Sequence, residues 1–247
     1  MAASKQSKEN TAEYDLLTIS LAGHIIAVRS SCAINRKAFK HYTVNVAEAD
    51  VEHTVTLDKE SVIEHLHSND DKTVYFFLHK DISDWLVTKN VLTIHASALI
   101  CEGKAYLFSA PSGTGKSTHT RIWRRVFGDQ ISMISDDQPL VRIDERGIYA
   151  CGSLWNGKER LGRNIEAPVG GICIIRRCET NRISTLSHTD ALAMLSPNVY
   201  IPSDPELACS SLKLLCKLAL SVPIYSLECN MTNEAAVFAK NSIVIED

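Results

Sequence analysis

Eight residues constrain this chain more than any others: Ala110-Pro-Ser-Gly-Thr-Gly-Lys-Ser117. They follow the pattern G-x-x-x-x-G-K-S, with Ala110 where the first glycine usually stands. Gly113 and Gly115 let the backbone close around an anion and turn successive N–H groups toward phosphate oxygens. A helix beginning near Lys116 adds the positive end of its dipole. Lys116 has the reach for β- and γ-phosphates, and the Ser117 hydroxyl can ligate Mg²⁺. Ser112, Thr114 and Thr118 complete the expected nucleotide-contacting set. The flanks fit as well. Lys104–Ser109 reads as a strand and Thr118–Phe127 as a helix, which is the context that lifts such a match above an accidental Ser/Gly-rich turn.

A loop of this kind specifies a nucleotide and not a reaction. The second half of a site is sought downstream, where Ile131–Ser135 is a short apolar run ending in Asp136 and Asp137, twenty residues after Lys116. A strand that delivers a carboxylate beside a phosphate loop is what Mg²⁺ coordination requires. One carboxylate suffices for the metal, so the other can take a proton from an attacking hydroxyl. We assign Asp136 as base and Asp137, with Ser117, as metal ligand. The two are open to exchange, because neighbours at a strand end point in opposite directions. Asp137-Gln-Pro139 can also simply form an Asx-type turn.

These residues carry a family resemblance. His95-Ala-Ser, the Ser112–Ser117 loop and the Asp136–Asp137 pair occur in the order and approximate spacing of the catalytic domain of HPr kinase/phosphorylase, over about residues 91–230. The resemblance implies an α/β fold with a P-loop kinase core of the HPr kinase/PEP carboxykinase type, mixed sheets with flanking helices, rather than a Ras-like one. It implies ATP and Mg²⁺ as cofactors and transfer of the γ-phosphate to a hydroxyl, most simply that of a Ser. For His95 it implies a role in orienting or electrostatically supporting the catalytic carboxylate; a hydrogen-bonded core histidine is the other reading. A Trp-x-Gly-Lys segment like that of other HPr kinase-like proteins, Trp155-Asn-Gly-Lys158, makes Lys158 the favoured cation on the moving phosphoryl group, with Arg160 and Arg163 as further candidates. Glu159 lies where the family supplies a glutamate to the metal. An ordinary exposed loop is the plain alternative for this stretch. No segment resembles the family's HPr-docking region, so the acceptor stays open as a protein, a peptide or a small molecule. A carboxykinase-like phosphotransferase and a non-catalytic nucleotide sensor are the competing functions.

Length and composition exclude several classes. The 247 residues suit one large domain or two unequal ones, with 45% hydrophobic and 22% charged residues as in folded soluble proteins. The net charge of −3 and the lack of a Lys/Arg run argue against nucleic acid as partner. Arg121, Arg124 and Arg125 read as a solvated helix face. Eight cysteines without a C-x-x-C pair suggest small apolar residues in a reducing cytoplasm, not a zinc site. No apolar run is long enough for a membrane span. Association into a homo-oligomer is left open.

Along the chain, residues 1–72 read as a smaller β-rich accessory unit and 73–247 as the nucleotide-binding domain. Met1–Asn10 is a polar tail. Tyr14–Leu21 and Gly23–Arg29 form a hairpin, and His41–Val46 and His53–Leu57 are further strands. Lys59–His67 is a brief helix followed by a loop, Ser68–Asp71. His24, His41, His53, His65 and His67 are read as surface or structural. Thr73–Lys89 has helical spacing, and Val91–Ile100 is one strand turning at Cys101–Lys104. Leu140–Ile143 and Gly147–Cys151 pair across Asp144–Gly147. Ala167–Ile175 starts as a turn and becomes a strand, and Arg176–Arg182 is a charged loop. Helices over Thr189–Leu195 and Glu206–Leu220, a strand over Val222–Leu227 and a helix from Thr232, capped by it, complete the chain.

Overall fold

The computed structural model describes residues 14–58 and 71–244, apart from positions 33 and 35. The polar tail, the helix expected over Lys59–His67, and His65 and His67 lie outside the described residues. So does the loop expected after them, except Asp71, which opens a helix.

The N-terminal part is a small sheet. Strands β1 (Asp15–Leu21) and β2 (His24–Ser30) form the expected hairpin, and β3 (His53–Leu57) adds to β2 in parallel. The strand expected over His41–Val46 does not form. It follows a short helix, α1 (Arg36–Phe39), and the amides of Tyr42 and Thr43 both bond back to the Phe39 carbonyl. Amides spent on a turn cannot extend a ladder, so pairing with β1 stops at a bridge between Ile19 and Thr43.

Helix α2 (Asp71–Thr88) carries Val74, Leu78, Ile82 and Leu86 at a spacing of four, and all four are buried. They meet Ile19, Ile26 and Val55 of the small sheet. The same core runs on into Val91, Leu140, Leu154 and Trp155. Arg142 ties the parts further: its guanidinium, almost fully buried, donates to the Ala22 carbonyl and to Glu166 and Asp144.

The rest is a mixed α/β body around a nine-stranded sheet in the order β4-β8-β9-β10-β6-β5-β7, with β12 on the other edge of β10 and β11 on β12. The strands are β4 (Val91–Thr93), β5 (Ala96–Cys101), β6 (Lys104–Ser109), β7 (Ile131–Ser135), β8 (Leu140–Asp144), β9 (Gly147–Cys151), β10 (Glu166–Arg177), β11 (Arg182–Thr185) and β12 (Ile224–Cys229). Three details differ from expectation. The single strand over Val91–Ile100 is broken at Ile94–His95, and its two pieces join different neighbours. β10 is already a strand at Pro168, whose pairing with Tyr149 ends the contact with β9 before the register shifts and β6 takes over. β11 was not foreseen at all.

Helices cover both faces. α3 (Lys116–Phe127) and α6 (Asn233–Ile243) enclose one core with Leu99, Tyr106 and Phe108. α4 (His188–Leu195) and α5 (Pro205–Ser221) enclose another with Leu107, Ile172 and Ile174. Ser187 and Asp204 cap α4 and α5 through their side chains, whereas Thr232 stands at the α6 cap position without making that bond. Among the described residues no helix is long and apolar enough to cross a membrane.

Candidate functional site

Strand pairing brings the two sequence signals to one place. β6 and β7 each run antiparallel to β5, so they are parallel to each other. Ser109, the last residue of β6, faces Ala96; Ser135, the last of β7, faces Ala98. The glycine loop and the aspartate pair therefore leave the sheet at the same end, two strand spacings or about 10 Å apart. The break before β5 sits at that end too. His95 N–H donates to the Asn198 carbonyl and Ala96 N–H to the Asp137 carbonyl, while Ser97 and Ser109 donate to the carbonyls of Asp136 and His95. These bonds lock the three segments together.

The loop has the backbone its glycines permit. Gly113 and Gly115 take φ of 78° and 125°, a region closed to most side chains. The first bond of α3 runs from His119 N–H to the Gly115 carbonyl, and no side chain caps the helix, so the amides before it have no helical partner. Arg177, at the end of β10, donates through Nε to the Thr114 carbonyl and through Nη2 to the Gly113 carbonyl, each at 2.7 Å. The Thr114 N–H closes the loop on the Pro111 carbonyl at 3.2 Å, and the remaining loop amides are left for an anion. Lys116 is buried and its Nζ donates to the Ala110 carbonyl at 2.8 Å. Burial holds its ammonium pKa below the ordinary value, while Asp137 pulls it back up. Ser112 and Ser117 are exposed and Thr114 and Thr118 half-buried.

The two aspartates differ sharply. Asp136 is only 4% exposed, and its carboxylate accepts from the amides of Gly157 at 3.0 Å and Glu159 at 3.1 Å. It thereby pins the 152–164 loop, including Lys158 between those two amides. Asp137 is half-buried, with its Oδ1 3.4 Å from His95 Nε2. The Glu159 carboxylate is held by Arg121 and Arg124 of α3, so these arginines are not merely a solvated face. Arg125 instead reaches Asn233.

Beside Asp137 lies a residue the sequence did not single out. His79 of α2 donates through Nε2 to Gln138 Oε1 at 2.6 Å and stands edge-on to Trp155 and Tyr200. Burial lowers its pKa, against the pull of the Gln138 bond, Asp84 and Asp137. Its only sequence signal is its place in the α2 pattern, which does not tell a site histidine from a packed one.

Two clefts flank the strand ends. One of about 670 Å³ is bounded by the loop residues Pro111–Thr114, by Ile174–Arg177 and by Ala193, Met194, Pro197 and Asn198. The other, of about 510 Å³, contains Asp137 and no residue of the glycine loop. Both volumes lie in the range of small-ligand sites. Among the described residues no group of three or more His, Cys, Asp or Glu could hold a metal by itself.

The helix behind the glycine loop carries a pH-sensitive element. His119 is buried, accepts from Trp123 Nε1 at 3.0 Å, and is held neutral down to about 4. Between that value and an ordinary 6.5 the unfolded chain binds a proton that the folded chain refuses. Stability is then full above the upper value and falls with pH by up to about 1.4 kcal/mol per pH unit through the window. Urea midpoints at neutral pH and at about pH 5 should show this loss in the wild type. The slope should shrink in His119→Gln, whose amide oxygen can still accept from Trp123. An unchanged slope would exclude His119 as its source.

No family model matches the sequence, and no curated protein matches it. Among solved structures, the Hpr(Ser) kinase/phosphatase from Coxiella burnetii is similar, with 12% sequence identity over 60% of this chain and 86% of that chain, at a TM-score of 0.36. The likeness is weak and one of fold alone.

Proposed function

We propose that this chain is an ATP-dependent kinase that transfers the γ-phosphate to a hydroxyl, on a core of the HPr kinase/PEP carboxykinase type. One observation carries the reading. The glycine loop with its buried Lys116, and the solvent-reaching carboxylate of Asp137, meet at one end of β5 with a cleft on either side.

In this reading the amides of Gly113 and of residues 115–118 hold the phosphates, and the cleft beside Ile174 and Met194 receives the nucleoside. The Ser117 hydroxyl and a carboxylate of the aspartate pair would hold Mg²⁺. Bound there, Mg²⁺ would neutralise charge on the phosphates. Asp136 has both carboxylate oxygens engaged by amides, so the base role first assigned to it passes to Asp137. Asp137 accepts the proton of the attacking hydroxyl, supported by His95, as the oxygen bonds to the γ-phosphorus and the bond to the β-phosphate breaks. Asp136 holds the loop that presents Lys158 to the moving group.

The test is transfer of radiolabelled γ-phosphate from ATP to a panel of Ser peptides and small hydroxy compounds. Wild type should form a labelled product, and Lys116→Met should lose at least about 100-fold of that rate with its fold intact. Tight nucleotide binding without hydrolysis or transfer would leave only a binding module.

A further inference from the structure

We propose that the Asp137 cleft takes a small hydroxyl-bearing anion, a carboxylate or a phosphate ester, as the phosphoryl acceptor. This rests on the kinase reading and adds the chemical class of its substrate. The cleft is lined by Lys37, His41, Arg160, Asn156, Tyr42 and Trp155 as well as Asp137. A single carboxylate thus shares it with two cations and an imidazole. Arg160 and His41 are exposed, and among the described residues their side chains have neither an ion pair nor a hydrogen bond. An anionic group on the acceptor would pair with them in place of water and offset its repulsion from Asp137.

The lining has two further features. Tyr42 Oη and Trp155 Nε1 are buried with no hydrogen-bond partner, on residues 1% and 8% exposed. Buried polar atoms left unpaired are rare in folded proteins and call for a reason, and both belong to the lining of this one cleft. Arg160 adopts φ of 51°, a left-handed conformation unfavourable for a residue with a Cβ. The volume of about 510 Å³ suits a compact molecule.

The left-handed backbone makes Arg160→Gly a clean probe, since glycine removes the charge and relieves the strain together. Calorimetric titrations of the full chain, carrying a non-hydrolysable ATP analogue, would use D-glycerate, glycerol 3-phosphate and neutral glycerol. One of the two anions should bind, glycerol should not bind at the same concentrations, and Arg160→Gly should weaken the anion at least tenfold. The variant should match wild type in thermal stability and in affinity for the ATP analogue. Which anion binds separates carboxylate from phosphate recognition, and that compound should take label from γ-labelled ATP. Failure of both anions, equal binding by glycerol, equal affinity in Arg160→Gly, or a bound anion that never takes label would each overturn the proposal. If the analogue itself does not bind, the kinase reading falls; if it binds and the anions do not, only the acceptor class falls.

Discussion

Asp137→Asn is expected to lower phosphoryl transfer about 10³-fold, within the usual worth of a positioned acid or base, while nucleotide affinity changes little. The substitution keeps the shape of the side chain, and the nearby His95 Nε2 can still bond to an amide oxygen. What it removes is the ability to accept a proton. The structural reason for choosing Asp137 is its freedom: its neighbour is 4% exposed with both carboxylate oxygens on the Gly157 and Glu159 amides. Rates with saturating and limiting Mg²⁺ separate the two tasks a carboxylate can have here. A general base gives a low rate at all metal concentrations and a flattened acidic limb of the pH profile. A metal ligand gives a rate that recovers as Mg²⁺ is raised, which would return Asp137 to the metal role. A variant as fast as wild type under both conditions would remove Asp137 from the chemistry. By contrast, Asp136→Asn should act through loosening of the 152–164 loop, because an amide accepts fewer backbone bonds than a carboxylate.

Gly152→Ala should cost about 3 kcal/mol, at the upper end for forcing extra volume into a packed site. A Cβ at that position would lie 1.8 Å from the Arg163 carbonyl oxygen, 2.8 Å from its carbon and 3.0 Å from Tyr42 Oη. The first two are backbone atoms and cannot swing aside. Both strands of the loop are also tied, by Gly152 N–H to the Ile165 carbonyl and Arg163 N–H to the Ile134 carbonyl. The methyl group can be accommodated only by opening that closure, which would release the hold of Asp136 on Gly157 and Glu159. Urea denaturation measures the cost, and faster amide exchange at Gly157 and Glu159 locates it. A variant within about 0.5 kcal/mol of wild type, the usual range of a surface change, would contradict this account of the loop.

How much was legible beforehand follows from the range of each interaction. The hairpin at Ala22–Gly23, the helix expected over Thr73–Lys89 and the pairing of β8 with β9 all rest on spacing within a few residues, and each formed within two residues of the expected bounds. The strand expected over His41–Val46 failed because the Phe39 carbonyl competes for its amides. Nothing in the alternation of Tyr42, Val44 and Val46 records that competition. The break at His95 is likewise set from outside, by the carbonyls of Pro139, Asn198 and Asp137. The arginines of α3 looked like a solvated face because their partner, Glu159, lies 35 and 38 residues away. His79 was passed over because its contacts with Gln138, Trp155 and Tyr200 come from three other parts of the chain.

The sequence alone determined the glycine-bearing loop between a strand and a helix, because φ above zero, the end of a helix and a lysine beside it are all local requirements. It also determined that two carboxylates end the strand after that helix. Only the tertiary structure decided that both stand at the same end of β5, which of the two aspartates stays open, and that a cation-bearing cleft with residues from positions 37–42 lies against it. The physical reason is that strand order, burial and charge pairing depend on which distant segments meet, and no window of neighbouring residues holds that information.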